Sequence, residues 1–429
     1  MIMLDLWTFS ESRHSNEVFR YTVRRSTNGL LKCIDDKETA VSASDGVKAS
    51  LLQWLREAFL PEGYPESVSE DYLHYQAWDT MQAYCSSVAG SVSLHATLGS
   101  LGVGHEGSTA LAATLTWLTN TGAGMVASIT FTYFKGTHLD SNNKQWRLFA
   151  DVSNDVALLL RLATPLLVPY MPVVVPLTIA AVLTALVGVA GGATRAALTA
   201  HQARRNNLGD VAAKDGSQET LVNLAALLTS LVLLPLITHS LVMTWSVFMV
   251  LLALHLLCNY QAVRAVVART LNRPRLLLLM QQFADTFTVM PLQEANAAEP
   301  LFTGSAFCAE FLCPGWRLEL GSSLQQLLNS LRTKPRLDDN FAIVVTRRRV
   351  HVVLHDDVTD RQLLLACWTA LHIARVASKT GSFSDGDVER VREKATQSFP
   401  RLEEALIKEG WAVDELHLNT RPWRVLQIS

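Results

Sequence analysis

Between Pro61 and Val263 the chain alternates long apolar runs with short polar, basic stretches. No Lys or Arg occurs from Pro61 to Phe134 or from Asp215 to Val263, and Arg161 stands alone from Leu148 to Thr194. Each run is long enough for two helical crossings of about 20 residues. Each also carries a turn signal near its middle: GVGHEGS at 102–108, VPYMP at 168–172 and THS at 238–240. The pattern predicts six apolar helices in three hairpins, the first pair over Tyr84–Val103 and Thr109–Phe134 and the third helix over Val152–Val168. The cations lie in islands between the hairpins: Lys135, Lys144 and Arg147; then Arg195, Arg204, Arg205 and Lys214; then Arg264, Arg269, Arg273 and Arg275. Three hairpins put every island on one face and every turn on the other, which is the charge asymmetry of a polytopic membrane protein. On this reading both termini lie on the cytoplasmic-equivalent side. The competing reading of the same runs is a buried, soluble helical core. Gly188 with Gly192, and Gly124 with Ser128, have the small-residue spacing that lets helix backbones approach in lipid.

After Asn272 the pattern changes. NFAIVVTRRRVHVVLH (340–355) reads as two β-branched runs joined at a charged turn. Asp360–Val376 carries Leu364, Trp368 and Leu371 on one helical stripe. Helix continues over Val388–Thr396 and Leu402–Lys408 around Pro400, Gly410 sits at a C-cap position, and WRVLQI (423–428) reads as a last strand. Near the N-terminus VFRYTV and LLKCI flank STNG, a small hairpin. The fold class is mainly α, a polytopic helical bundle with a C-terminal α+β domain. Its expected units are a hairpin region (1–56), a helical membrane core (57–275), a linker (276–299) and the α+β domain (300–429).

Composition narrows the class. Charged residues are 18% of 429, below the roughly 25% of soluble domains, and the formal charge is −2. That balance gives no sign of nucleic-acid binding. Mean hydropathy of +0.18 lies between soluble enzymes and chains that are mostly membrane. Six cysteines without a CxxC pair read as buried thiols in a reducing compartment. The N-terminus, MIMLDLWTFSESRH, has no basic region followed by an apolar core, so no secretory signal is expected.

The chain has no P-loop, no GxGxxG after a strand, no HExxH and no GxSxG, and no cofactor or metal is expected. His105 and Glu106, in the first turn, are too few for a metal site. An enzyme acting on a lipid or on pyridoxal phosphate would need a Schiff-base lysine, and Lys214 is the only lysine near a polar cluster. The charges within the runs are more informative. LFADVSNDVALLLRLATP places Asp151, Asp155 and Arg161 in the third helix. They read either as capping plus a structural ion pair, or as a substrate or proton site, because ionisable groups at membrane depth are costly. Arg195, His201, Arg204 and Arg205 form a basic surface suited to an anionic headgroup or a phosphorylated ligand. Its plain alternative is positive-inside topology. From Lys214 to Asn223 seven of ten residues are polar. Asp215 or Ser217 can cap the helix that follows. Capping leaves Gln218, Glu219 and Asn223 unexplained, and these extend a polar face into a candidate binding site.

Four segments together resemble the root UVB sensitive (RUS) family, the vitamin B6 photoprotection and homeostasis domain: LPEGYPESVSEDYLHYQAWD (60–79), GVGHEGSTALAATLTWLTNTGAGM (102–125), FKGTHLDSNNKQWRLFADVSNDVALLL (134–160) and GGATRAALTAHQARRNNLGDVAAKDGSQETLVNL (191–224). The resemblance covers roughly residues 50–270 well and the tail loosely. It implies a eukaryotic membrane-associated protein with a role in vitamin B6 homeostasis, and it supplies no catalytic residues. Two functions follow as expectations: an integral membrane protein moving a small anion, or a membrane-anchored scaffold acting through its C-terminal domain. The expected partners are membrane lipid, a small anionic ligand, and a second copy or a relative in an oligomer.

Overall fold

The computed structural model describes residues 6–12, 18–25, 31–35, 53–102, 110–301, 311–327, 340–380 and 385–426, with side chains from residue 53 onward. At the N-terminus β1 (Leu6–Ser12), β2 (Val18–Arg25) and β3 (Leu31–Asp35) form an antiparallel meander. The expected hairpin is β2–β3, and β1 is an additional strand on its edge.

A short helix α1 (53–59) precedes six long helices: α2 (Tyr72–Ser100), α3 (Ala110–Lys135), α4 (Asn143–Leu167), α5 (Val174–Gln202), α6 (Leu208–Ile237) and α7 (Leu241–Ala265). Their order and number are those expected, but of the three expected hairpins only α4–α5 packs closely: α2 packs on α7 rather than on α3, and α6 touches α7 only lightly. The turns at 168–173 and 238–240 fall where the sequence put them, whereas most of the first turn, with His105 and Glu106, lies outside the described residues. Helix α5 lies between α3 and α4, while α2 packs against α4, α6 and α7. Gly124 of α3 sits on α5, where a Cβ would stand 3.5 Å from Ala185 and 3.6 Å from the Ala181 carbonyl. Ser128, one turn on, donates to the Ala185 carbonyl at 3.5 Å, so this small-residue pair does bring two helices together. Gly188 and Gly192 face open space and make no such contact.

Three helices begin earlier than the apolar pattern suggested. Helix α2 starts at Tyr72, and its buried stripe of Tyr72, Tyr75, Gln76, Gln82, Cys85 and Val88 mixes polar with apolar residues. Helix α4 starts at Asn143, which puts Asp151 and Asp155 in mid-helix, where they cap nothing. Helix α6 starts at Leu208 after Asn207, so Asp215 and Ser217 are interior residues as well. In each case polar side chains that would end an isolated apolar helix find partners on a neighbouring helix, and tertiary contact overrides the local signal.

Helices α5, α6 and α7 are each long and apolar enough to cross a membrane, and only 22% of each apolar window is buried inside the protein. Val126 and Ile129 of α3, Leu231 and Val232 of α6, and Val242 and Val250 of α7 are all exposed. An uncovered apolar surface of this extent marks an interface with lipid or with another protein.

The C-terminal part has its own core. The stretch 276–299, expected as a linker, is taken up by α8 (Arg273–Thr286), α9 (Leu292–Ala298), the segment joining them and Glu299, the residue that follows α9. Leu276, Leu279, Met280 and Phe283 pack with Leu364, Trp368 and Leu371 in one cluster. Strand β4 (Thr270–Asn272) pairs in parallel with β9 (Ala412–His417). The second sheet has the order β5 (Phe311–Cys313), β6 (Trp316–Leu320), β8 (Arg349–Leu354), β7 (Phe341–Thr346), and β7–β8 is the expected hairpin. Helices α10 (Asp360–Thr380) and α11 (Asp385–Lys408) cover the core, with Trp368 Nε1 donating to Ser398 at 3.0 Å. Gly410 ends α11 at φ +85°, the left-handed cap that glycine adopts without strain. The expected strand over 423–428 is, within the described residues, a single bridge from Val425 to His355, and β9 is the last strand.

Candidate functional site

The segment 61–71 straps across the end of α5 and fixes the start of α2. Ser69 N–H donates to the Gln202 carbonyl at 3.0 Å, and Arg204 N–H donates to the Ser67 carbonyl at 3.1 Å. Asp71 is the hub of this junction. Its Oδ2 lies 2.9 Å from His201 Nε2 and accepts the Val267 N–H at 2.6 Å, and its Oδ1 accepts from Ser69. Burial works against the Asp71 carboxylate, but His201 and the donated hydrogen bonds outweigh it and hold its pKa down at about 2.

Beneath this junction lies a cavity of about 280 Å³ between α2, α4, α5 and α6. Its charged walls are paired with one another. Arg195 donates through Nε to Asp215 Oδ2 at 2.8 Å, and its Nη1 lies 2.6 Å from Glu219 Oε2. Gln76 Nε2 donates to Asp215 Oδ1 at 3.1 Å. Across the cavity Arg147 Nη2 donates to Asp79 Oδ1 at 2.8 Å, and its Nε lies 3.4 Å from Asp151 Oδ2. Tyr75 donates to Asp79 at 3.2 Å, and Asn259 donates to Asp151. Ser87 donates to Asn223 Oδ1 at 2.9 Å, and Gln218 donates to the Phe59 carbonyl at 2.6 Å. Four carboxylates and two guanidiniums therefore line one small space.

A buried branch leads away from the cavity. Arg147 Nη2 donates to Gln82 Oε1 at 3.4 Å, which turns Gln82 Nε2 to within 3.0 Å of His255 Nε2. On its other side His255 Nδ1 lies 2.8 Å from Asp155 Oδ1. Asp155 and His255 are 5% and 1% exposed. The arrangement can hold a polar solute in the cavity.

Asp151, Arg195, Gln218, Glu219 and Asn223 come together around this cavity. Asp155 and Arg161 do not form the ion pair that the sequence suggested. Six residues at 100° each place them about 120° apart around α4. Asp155 faces His255, whereas Arg161 Nη2 donates to Thr184 at 2.9 Å and lines a second cavity of about 440 Å³ with Asn120 and Thr116. His201 serves the Asp71 junction. Arg204 and Arg205 are exposed beyond α5, and Lys214 donates to the Glu57 carbonyl, outside the cavity lining. Arg147, seen from sequence only as one cation of a basic island, is a cavity wall. So are Gln76, Asp79 and Ser86, whose helical spacing along α2 was the available signal.

The chain matches the vitamin B6 photo-protection and homoeostasis domain over residues 46–286 and the root UVB sensitive protein C-terminal domain over residues 288–427. It is 45% identical over 300 residues to RUS family member 1 of Dictyostelium discoideum, covering 67% of this chain and 56% of that protein. It is 33% identical over 390 residues to protein root UVB sensitive 3 of Arabidopsis thaliana, covering 88% of this chain and 87% of that one. Protein root UVB sensitive 2, chloroplastic, of the same plant is 24% identical over 402 residues, or 92% of this chain and 88% of that protein. No solved structure matches the chain. The chain belongs to the root UVB sensitive family.

Proposed function

We propose that this family member is an integral membrane protein of vitamin B6 homeostasis that binds, and moves across the bilayer, a small polar solute held in the cavity between α2, α4, α5 and α6. The observation that carries the reading is the pairing of two features in one bundle. The outward faces of α5, α6 and α7 are apolar and largely unburied, while the inward faces of α2, α4, α5 and α6 enclose a charged cavity. A soluble bundle has no reason to combine them in that sense, whereas a lipid-exposed carrier needs both. The described basic islands and the cavity lie toward one end of the bundle, and the turns at 168–173 and 238–240, without Lys or Arg, lie at the other. This favours the cytoplasmic-equivalent side for both termini. Tyr133 and Tyr170, both more than 80% exposed, lie at opposite ends of the hairpins, as interfacial aromatics do.

Alkaline carbonate extraction of membranes carrying the full chain tests this reading. Retention in the pellet is expected, and release into the supernatant would refute integral membrane insertion. A second reading, a membrane-anchored scaffold, is favoured by Trp423 and Leu426, which are 51% and 75% exposed on the C-terminal domain.

A further inference from the structure

The sequence raises the expectation of a small anionic ligand, drawn to Arg195, Arg204 and Arg205. The geometry points to the opposite charge, and we propose that the cavity between α2, α4, α5 and α6 takes a small cationic solute, one carrying a protonated amine. This inference rests on the solute-binding reading above and names its substrate class.

Three observations carry it. Asp79, Asp151, Asp215 and Glu219 line the space against Arg147 and Arg195 alone, a formal balance of two negative charges. Both arginine forks are already committed, Arg195 to Asp215 and Glu219 and Arg147 to Asp79 and Asp151. An oxyanion needs a free fork or a set of unspent donors, and it would have to displace a carboxylate already in place. Finally, the cations that made an anion plausible lie elsewhere: Arg204 and Arg205 are exposed beyond α5, and Lys214 is tied to the Glu57 carbonyl. An ammonium group is the complement of such a lining. It brings donors only, to a space rich in acceptors, and it offsets the surplus negative charge of the lining. The volume of about 280 Å³ sits just under the range of about 300–1,000 Å³ found for drug-sized ligands. The solute is therefore a single small ring or a short chain.

Three B6 vitamers share one ring and differ in charge, which makes them suitable probes. The experiment is isothermal titration of the full chain, in nanodiscs of neutral lipid at pH 7, with pyridoxamine, pyridoxine and pyridoxal 5′-phosphate. Pyridoxamine is expected to bind about tenfold or more tighter than pyridoxal 5′-phosphate, with pyridoxine between them. The second arm reads the same amine-to-phosphate preference in two variants, because an inactive fraction leaves that ratio unchanged. Glu219→Gln should lower the preference about fivefold, and Arg195→Gln should raise it. Equal or tighter binding of the phosphate, or a preference that the two variants do not move in opposite directions, overturns the charge assignment and leaves the solute-binding reading standing. Failure of all three vitamers to bind overturns the solute-binding reading and the assignment together.

Discussion

Replacing Glu299 by Gln removes the only carboxylate from a buried knot that joins the helical core to the C-terminal domain. Glu299 is 2% exposed and accepts from Asn272 Nδ2 at 2.6 Å. Its Oε2 lies 3.4 Å from Lys144 Nζ and 3.5 Å from Arg275 Nε. Lys144, in the first turn of α4 ahead of its apolar stretch, also donates to Asn296 Oδ1 at 2.8 Å. The knot thus carries two cations and one anion. Removing the anion strands two buried cations and should destabilise the fold by about 3–5 kcal/mol. Removing Lys144 instead, as Lys144→Met, leaves Arg275 and Glu299 neutralised and keeps the apolar stem in place. It should cost little or even stabilise the fold below pH 8, where the buried ammonium that it removes is unfavourable. The surplus charge already shows in the ammonium, because burial outweighs the attraction of Glu299 and lowers the Lys144 pKa from 10.5 to about 8. Between those two values the unfolded chain binds the proton that the folded state has lost, so stability rises with pH across the window, by about 3 kcal/mol in all. The penalty is present in full below pH 8. The assay is denaturant unfolding of the purified full chain in one detergent, read by intrinsic fluorescence from pH 7 to 10. The buried cysteines, Cys367 above all, lose stability with rising pH in every variant, so the readout is the difference: wild type should gain stability relative to Lys144→Met as pH rises from 8 to 10, and Glu299→Gln should be far weaker throughout. A Lys144→Met variant as unstable as Glu299→Gln would refute the charge accounting.

Asp71→Asn should remove about 2 kcal/mol of stability at neutral pH, because the carboxylate is held from 3.8 down to about 2 by His201, Ser69 and the Val267 amide. That stabilisation is present above pH 4 and is lost as pH falls through 2, so the variant's acid-unfolding curve should be flatter than that of wild type. Arg161→Ala breaks a single hydrogen bond, to Thr184, and should change stability by less than about 1 kcal/mol. If the second cavity lies on the solute path, the same variant abolishes complementation of a family null mutant, and normal complementation by a folded variant would remove Arg161 from the path. Truncation after residue 290 leaves Leu276, Leu279, Met280 and Phe283 without Leu364, Trp368 and Leu371. Size-exclusion chromatography should show this fragment aggregated, and a monodisperse fragment would mean that α8 does not depend on that core.

The six long helices were legible because long apolar runs and uncharged turns are properties of composition, and composition survives without knowledge of partners, whereas the packing of α2 on α7 rather than on α3 was not. The same pattern misplaced the starts of α2, α4 and α6. Each of these helices opens with polar turns whose stability comes from a neighbour: Gln76 from Asp215, Arg147 from Asp79, and Gln218 from the Phe59 carbonyl. None of those partners is near in sequence, so hydropathy alone treats these residues as helix ends. The expected linker at 276–299 failed for a related reason, since the Leu-rich face of α8 is explained only by α10, about 90 residues later.

The candidate site was half legible, and the missing half changed its sign. Asp151, Arg195, Gln218, Glu219 and Asn223 stood out as polar residues in or beside apolar runs, and they do share a cavity. Judged by their neighbours in sequence, the arginines of the 195–205 stretch looked like a free basic surface. Of these only Arg195 meets the cavity, and the acids that neutralise it and Arg147 lie on other helices or one turn away on the same one. Asp215 and Glu219 are 20 and 24 residues beyond Arg195, and Asp79 is 68 residues before Arg147. Local charge density in a sequence carries no record of the partners that other helices bring. The charge that a ligand meets depends on which carboxylates the packing of α2 and α6 brings to those arginines. Ligand polarity in a helical bundle therefore has to be argued from the cross-helix pairs, and in this bundle those pairs leave acid in excess.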